Sequence, residues 1–506
     1  MGWKGNGMGG LSRRGLLGVL AGAGVAGRAR AVGLAAERDS VAIAWPADVP
    51  GWDPQRLLLA DAQPVYRMVF DPPLERDARL ELEPGLVTSW EMAPDGQSLE
   101  LALRDDAAFH DGSRVTTADL RWSFLERLQA GVGLDAARVW RRLVAIETPG
   151  PGRAVLRFDA PMPAAVPWLG FLGSFVVPRG YRADAVVGSG PFRLVEHRVG
   201  SRIVLERNDS WWGPKPAMRR VVLEILREPG VRMAALQAGR VDMAVGVRPR
   251  ELVRLAAVPG LEVEIRPVSR LVLLQARSDG GFADPNVRLA AHYAIDKEAL
   301  VRAFTHGVGR KQALPALPGS AGFEEGFTFP HDPNQAVLLL ERSGISPKEP
   351  VRVRLAATRG AFPGDFDMAR AIVAMWRAVG IEATLEVIDP VRHLERARAG
   401  TLPEAVLWSF DAGGAAAETG IGALLDPGMP FTLWGGQALG ARAAALADEV
   451  DPEARDAQWQ ALGREAVAAG ACMPLLQGVQ TVARAKALSH RSSATGWILP
   501  HSMAWL

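Results

Sequence analysis

Residues 351–411 read VRVRLAATRG AFPGDFDMAR AIVAMWRAVG IEATLEVIDP VRHLERARAG TLPEAVLWSF D, and their periodicity decides the fold. Val351–Ala356 reads as a strand. A helix follows to about Val379 and is closed by Gly380. Ile381–Ile388 is a second strand, Val391–Ala399 a second helix closed by Gly400, and Ala405–Ser409 a third strand. The order β-α-β-α-β predicts an α/β protein with a parallel sheet covered by helices. In open sheets of this kind, ligands occupy the crevice beyond the carboxyl ends of the strands. The third strand runs directly into Phe410-Asp411-Ala412-Gly413-Gly414, which puts Trp408 and Asp411 at a crevice rim. A carboxylate there suits a cationic ligand group, and an aromatic face suits its apolar or cationic parts. The alternative is that Asp411 caps the loop that follows.

Working outward, Asn286–Phe304 has the apolar spacing of one amphipathic helix. Asp332-Pro333 opens another, with Asp332 as N-cap and Gly344 at its end. The first half alternates more like antiparallel strands. Val41–Trp45, Leu99–Arg104, Val155–Phe158, Phe192–Val195, Ile203–Arg207, Val221–Leu226 and Val241–Val245 all read as strands. Thr117 is the expected N-cap of a helix through about Leu128, and Val231–Ala238 is a short helix closed by Gly239.

The first 31 residues differ from the rest. They hold Lys4, Arg13, Arg14, Arg28 and Arg30 and no acid, with an apolar run from Leu16 to Ala26. A spanning helix needs roughly 20 apolar residues, so this run is too short to remain in a bilayer. A charged start, an apolar middle and a small-residue exit make an export signal. Ser12-Arg13-Arg14-Gly15-Leu16-Leu17 is like a twin-arginine signal, and Ala29-Arg30-Ala31 is the expected cleavage site, with Leu34-Ala35-Ala36 as a second choice. Gly5–Gly10 fits G-x-G-x-x-G but follows no strand, so it is not a nucleotide site.

The whole chain has 58 basic and 56 acidic residues; without the leader's five cations the balance is 53 to 56. The product is mildly acidic and offers no basic field for nucleic acid. Hydrophobic residues make up 48% of the sequence, enough for a large core. Single cores stop growing near about 250–300 residues, so more than one lobe is expected. Cys472 is the sole cysteine. It forms no internal disulfide, lies far from the leader's lipidation position, and sits in an apolar stretch where a thiol is buried and inert. No G-x-S-x-G elbow, H-E-x-x-H helix or metal-spaced histidine set occurs, so neither a metal nor a cofactor is expected.

Pro84-Gly85-Leu86-Val87-Thr88-Ser89-Trp90-Glu91, Pro94-Asp95-Gly96, Leu103-Arg104, Phe109-His110-Asp111-Gly112 and Thr117-Ala118-Asp119-Leu120 follow one another closely. Together they resemble the signature of the dipeptide, oligopeptide and nickel solute-binding proteins of family 5. The resemblance extends through Gly188-Ser189-Gly190-Pro191-Phe192, Leu205–Asn208, Trp211-Trp212-Gly213, Leu236-Gln237-Ala238-Gly239 to Asp242, Val287-Arg288 to Ala294-Ile295-Asp296, and Leu338–Gly344. His110 and Asp111 then belong to a turn and not to a metal site.

That resemblance implies the two-lobed periplasmic binding protein type II fold, closing on ligand by a hinge. Residues 32–72, 185–273 and 476–506 would form lobe I, 73–184 an extra subdomain in it, and 274–475 lobe II. The chain would cross between lobes near Leu273–Arg277 and return near Pro474–Gly478. The stretch Trp408 to Asp411 matches half of a peptide-binding motif whose aspartate pairs with a peptide ammonium; the motif's Tyr and second Asp-Pro are absent. Trp434, beside Gly435-Gly436, and Trp45, at the end of the first strand, are further expected cleft aromatics. The implied partners are a peptide or small cationic ligand and the permease and ATPase of an ABC importer, served by a periplasmic, unlipidated monomer without enzymatic activity. An exported hydrolase, or a chaperone or sensor on the same fold, is the alternative.

Overall fold

The computed structural model describes residues 38–506 except 132, 347, 412–415 and 430–431. The expected leader, with its arginine pair and cleavage positions, lies outside the described residues. Ten strands form one mixed sheet, in the order 381–387, 351–357, 405–411, 261–276, 472–485, 243–245, 40–45, 220–225, 202–207 and 192–198.

At one end of the sheet, Val351–Ala357 pairs in parallel with both Ile381–Val387 and Ala405–Asp411. The helices Asp365–Val379 and Pro390–Arg398 make the crossovers, so the expected β-α-β-α-β unit is present. Gly380 closes the first helix with φ +105°, a left-handed conformation that side chains resist. Met368, Ile372 and Trp376 repeat at helical spacing and are buried against the sheet. The Trp376 ring meets Phe282 edge-on at 5.7 Å, and its Nε1 donates to Ala291 O at 2.8 Å. Trp376→Ala should therefore cost about 3–5 kcal/mol of unfolding free energy, measurable by urea titration.

At the other end, Ser40–Trp45 pairs in parallel with Arg220–Ile225 and Met243–Val245. Arg202–Arg207 and Phe192–Arg198 continue that end as antiparallel neighbours. Between the two ends stand two long antiparallel strands, Leu261–Ala276 and Cys472–Ala485. Their ladder breaks between Pro267 and Leu271, where Val268, Ser269 and Arg270 face Gly478. Proline brings no N–H to the ladder, and glycine lets the Arg270 backbone and Cβ approach: a Cβ on Gly478 would lie 3.3 Å from both Arg270 Cβ and O. The break thus lies upstream of the Leu273–Arg277 crossing expected from sequence, and its partner at Gly478 lies at the end of the expected return.

A separate four-stranded antiparallel sheet has the order 87–92, 98–103, 153–158, 143–150. Its core includes Phe124, Trp140 and Trp168, whose rings meet edge-on. The helix above it differs from expectation in two ways. Thr116 takes the cap position instead of Thr117, because Asp119 Oδ2 accepts from both Thr116 N at 2.9 Å and Thr116 Oγ1 at 2.7 Å. The helix is also interrupted by a π-turn at Trp122–Glu126. There the Ser123 carbonyl accepts from Gln55 Nε2, and Ser123 Oγ accepts from Val177 N at 2.9 Å.

The single helix expected over Asn286–Phe304 is two helices, Pro285–Tyr293 and Lys297–Thr305. Asp296 restarts it by accepting from Ala299 N at 2.8 Å. Asp332 does cap its helix, accepting from Gln335 N at 2.9 Å with Pro333 at the first position.

Candidate functional site

The signature motifs converge on one buried scaffold before any ligand is considered. Gly188 and Gly190 lie against the carbonyl of Val69; a Cβ would come within 1.9 Å of Val69 O at Gly188 and 2.6 Å of Val69 C at Gly190. No side chain fits there. His110 ties this loop to its own turn. Its backbone N donates to Gly188 O at 2.8 Å, its Nδ1 accepts from Gly188 N at 3.3 Å, and its Nε2 meets Gly190 O at 3.1 Å. That pattern requires a neutral ring with its proton on Nε2, and burial lowers the pKa to about 4. The indole N–H groups of Trp211 and Trp212 donate to Asp71 at 3.3 and 2.9 Å. Asp71 also accepts from Arg67 at 3.0 Å, and Arg67 reaches on to Glu75. This is a buried charged network, and it accounts for the paired tryptophans.

The cleft lies where strand ends from both ends of the large sheet meet. Asp411 is the last residue of its strand, two residues beyond the expected end, and stands opposite Arg270 in the antiparallel register. It is 5% exposed and accepts from Ser269 Oγ at 2.9 Å. Ser269 and Arg270 are the residues of the ladder break, so the break and the carboxylate are one local structure. Arg270 donates to Ala361 O at 2.8 Å and to Asp61 Oδ1 at 2.9 Å, which links the two walls of the cleft. The Asp411 charge also acts on Arg76, whose pKa burial lowers to about 10.

Trp408, three residues before Asp411, stacks face to face on His393 at 3.9 Å. Burial lowers the His393 pKa to about 4, so at neutral pH the stacking partner is an uncharged ring. Trp408 and Asp411 share the wall of a small apolar cavity of about 50 Å³. A larger cavity of about 310 Å³ adjoins it through Ala60 and is lined by Trp45, Asp61, Arg227, Arg248, Arg270 and Arg359 among others. Trp45 ends the strand Ser40–Trp45, and Arg359 follows the strand Val351–Ala357. Both cavities therefore occupy the carboxyl-end position that open α/β sheets reserve for ligands. The Trp45 Nε1 is buried and has no acceptor among the described residues.

Trp434 lines neither cavity. Its ring lies 5.2 Å from the Arg288 guanidinium, which is held by the carbonyls of Phe282, Ala283 and Ala469. Cys472 is fully buried, and burial pushes its thiol up to about 12. Ser269, Arg270, Arg76, Trp168 and Met429 enter the cleft without any sequence signal. All but Met429 belong to segments far from Asp411 in the chain and meet it only through the fold. Among the described residues, no group of three His, Cys, Asp or Glu side chains could hold a metal ion, and no helix is long and apolar enough to cross a membrane.

The architecture is that of a two-lobed binding protein with its cleft at facing strand ends. The family model for bacterial extracellular solute-binding proteins, family 5, matches residues 81–425, and the chain belongs to that family. It is similar to the nickel-binding periplasmic protein of Escherichia coli, 24% identical over 69% of this chain and 71% of that one. It is similar to the dipeptide-binding protein of the same organism, 25% identical over 66% and 68%. Among solved structures it resembles the DppA periplasmic binding protein of Helicobacter pylori in complex with the peptide STSA, at 20% identity and TM-score 0.82, covering 92% of this chain and 98% of that one. It also resembles the dipeptide binding protein of Pseudoalteromonas in complex with Met-Leu, at 17% identity and TM-score 0.84, covering 92% and 100%.

Proposed function

We propose that this protein is the exported receptor of an ABC importer and captures a small peptide or a related small cationic solute in the cleft beside Asp411. The observation that carries the ligand reading is a buried carboxylate at a strand's carboxyl end, walled by aromatic and aliphatic side chains. In this reading Asp411 faces the cation, Trp408 covers the adjoining group, and Trp45 lines the larger compartment. Trp434 keeps a packing role against Arg288. The likeness to peptide-binding and nickel-binding proteins of the periplasm supports the compartment and the transport role.

Residues 1–31 serve as a twin-arginine-like leader, and the product is a free, unlipidated periplasmic monomer that hands its ligand to the permease and ATPase. Lobe I comprises 32–72, 185–273 and 476–506, with 73–184 as its subdomain, and lobe II comprises 274–475. Closure about the Pro267–Leu271 break is then the signal read by the permease. Arg141 donates to Asp426 at 2.7 Å and Arg398 pairs with Asp135; in this reading these contacts across the cleft hold the closed form.

The test is native mass spectrometry of the purified protein for a co-purified solute, followed by thermal unfolding with peptides, opines, nickel chelates and sugars. A ligand at 100 times its Kd adds about 2.7 kcal/mol of stability, so the true class should raise the melting temperature. Absence of any shift across all four classes counts against a capture role.

A further inference from the structure

The small cavity beside Asp411 carries information about what is captured. Its walls come from both sides of the cleft: Val139, Trp168 and Leu172 from one, Trp408, Ala423 and Met429 from the other. The polar side chains among its lining are Ser409, Asp411 and Thr419. Thr419 Oγ1 already donates to Ala416 O at 2.8 Å, and Asp411 accepts from Ser269 Oγ at 2.9 Å. Placing a charged group against such walls without a partner is costly, whereas each methylene moved there from water gains about 0.8 kcal/mol.

The walls are also held in place. Trp408 is backed by the stacked His393 ring, and Trp168 meets Trp140 edge-on at 6.3 Å within the subdomain core. Arg141–Asp426 and Arg398–Asp135 bring the two sides together around it. A cavity with braced walls discriminates by size as well as polarity. A water needs roughly 10–15 Å³ of such space, so a cavity of about 50 Å³ suits about four non-hydrogen atoms.

We propose that this cavity is the specificity subsite of the cleft and takes an uncharged aliphatic group, of valine or leucine side-chain size, attached next to the ligand's cationic centre. Trp168 and Ala423 set its depth. The inference rests on the reading of Asp411 as the partner of a ligand cation, and it adds which neighbour that cation must have.

The experiment is isothermal titration of the purified protein with the dipeptides Gly-Ala, Ala-Ala, Val-Ala, Leu-Ala, Trp-Ala and Glu-Ala, alongside the variants Trp168→Leu and Ala423→Val. Wild type should bind more tightly from Gly-Ala to Leu-Ala, by about fourfold per methylene, and Trp-Ala and Glu-Ala should each bind at least about tenfold more weakly than Leu-Ala. Trp168→Leu should narrow or reverse the gap between Leu-Ala and Trp-Ala. Ala423→Val fills the cavity, so it should weaken Leu-Ala while sparing Ala-Ala. Thermal unfolding of both variants identifies any that misfold, and either one alone suffices for the comparison. Equal binding of Gly-Ala, Glu-Ala and Leu-Ala, or an unchanged ranking in a folded variant, overturns the subsite and leaves Asp411's role standing. If no member of the series binds, the cationic-ligand reading falls and the subsite falls with it.

Discussion

Arg67→Met should lower the unfolding free energy by about 3–5 kcal/mol at neutral pH, because it strips the buried Asp71 and the half-buried Glu75 of their counter-ion. Arg67 is 3% exposed and Asp71 fully buried, and Glu75 is the other carboxylate that Arg67 reaches. Burial is the largest influence on Asp71 and Glu75 and holds both pKa values above their ordinary range even with Arg67 present. Without Arg67 that upward displacement grows.

A carboxyl with a raised folded-state pKa favours folding while it is protonated, and this contribution is lost as pH rises through the folded pKa. The variant's deficit should therefore be small near pH 4.5 and largest at pH 7. Urea unfolding of both proteins at the two pH values measures it. An equal deficit at both would show that losing Arg67 leaves the protonation of the two carboxyls in the folded state unchanged over this range. The indole donors of Trp211 and Trp212 keep Asp71 in place in either case, so the variant should retain its fold at acid pH.

Asp411→Asn should weaken binding of a cationic ligand by about 2–5 kcal/mol, a loss of roughly 30- to several-thousand-fold in Kd. The change keeps the side chain's shape and its capacity to accept from Ser269 Oγ. It also removes a charge that acts on the buried Arg76 and Arg270, so some loss of stability is expected beside the loss of affinity. Titration calorimetry with the solute found by native mass spectrometry, run beside thermal unfolding, separates the two. An unchanged Kd would remove Asp411 from the ligand's surroundings.

Trp408 and Asp411 were legible because a strand followed by Asp and glycines marks a carboxyl end, and the β-α-β-α-β spacing sets which ends face the crevice. Local spacing ends the strand at Ser409, whereas the strand continues to Asp411, since its register partner Arg270 belongs to the bent central strand. The helix over Asn286–Phe304 failed differently. Its apolar spacing runs on through the break, and the only local sign was Asp296, whose side chain caps the second half. The π-turn at Trp122–Glu126 had no local sign at all. It answers to Gln55 and Val177, which come from elsewhere in the chain.

By itself, the sequence determined the α/β class, the parallel unit 351–411, the family and the identity of one cleft carboxylate. Those follow from short-range periodicity, capping chemistry and motifs whose parts lie close together. Only the tertiary structure decided what surrounds that carboxylate. Ser269 and Arg270 meet Asp411 because Pro267 and Gly478, far apart in the chain, open the ladder between the two central strands. Trp168 and Met429 line one cavity with Trp408, Trp168 coming from the core of the four-stranded subdomain. Burial, register and closure are set by the packing of distant segments, and no local pattern in the sequence encodes them.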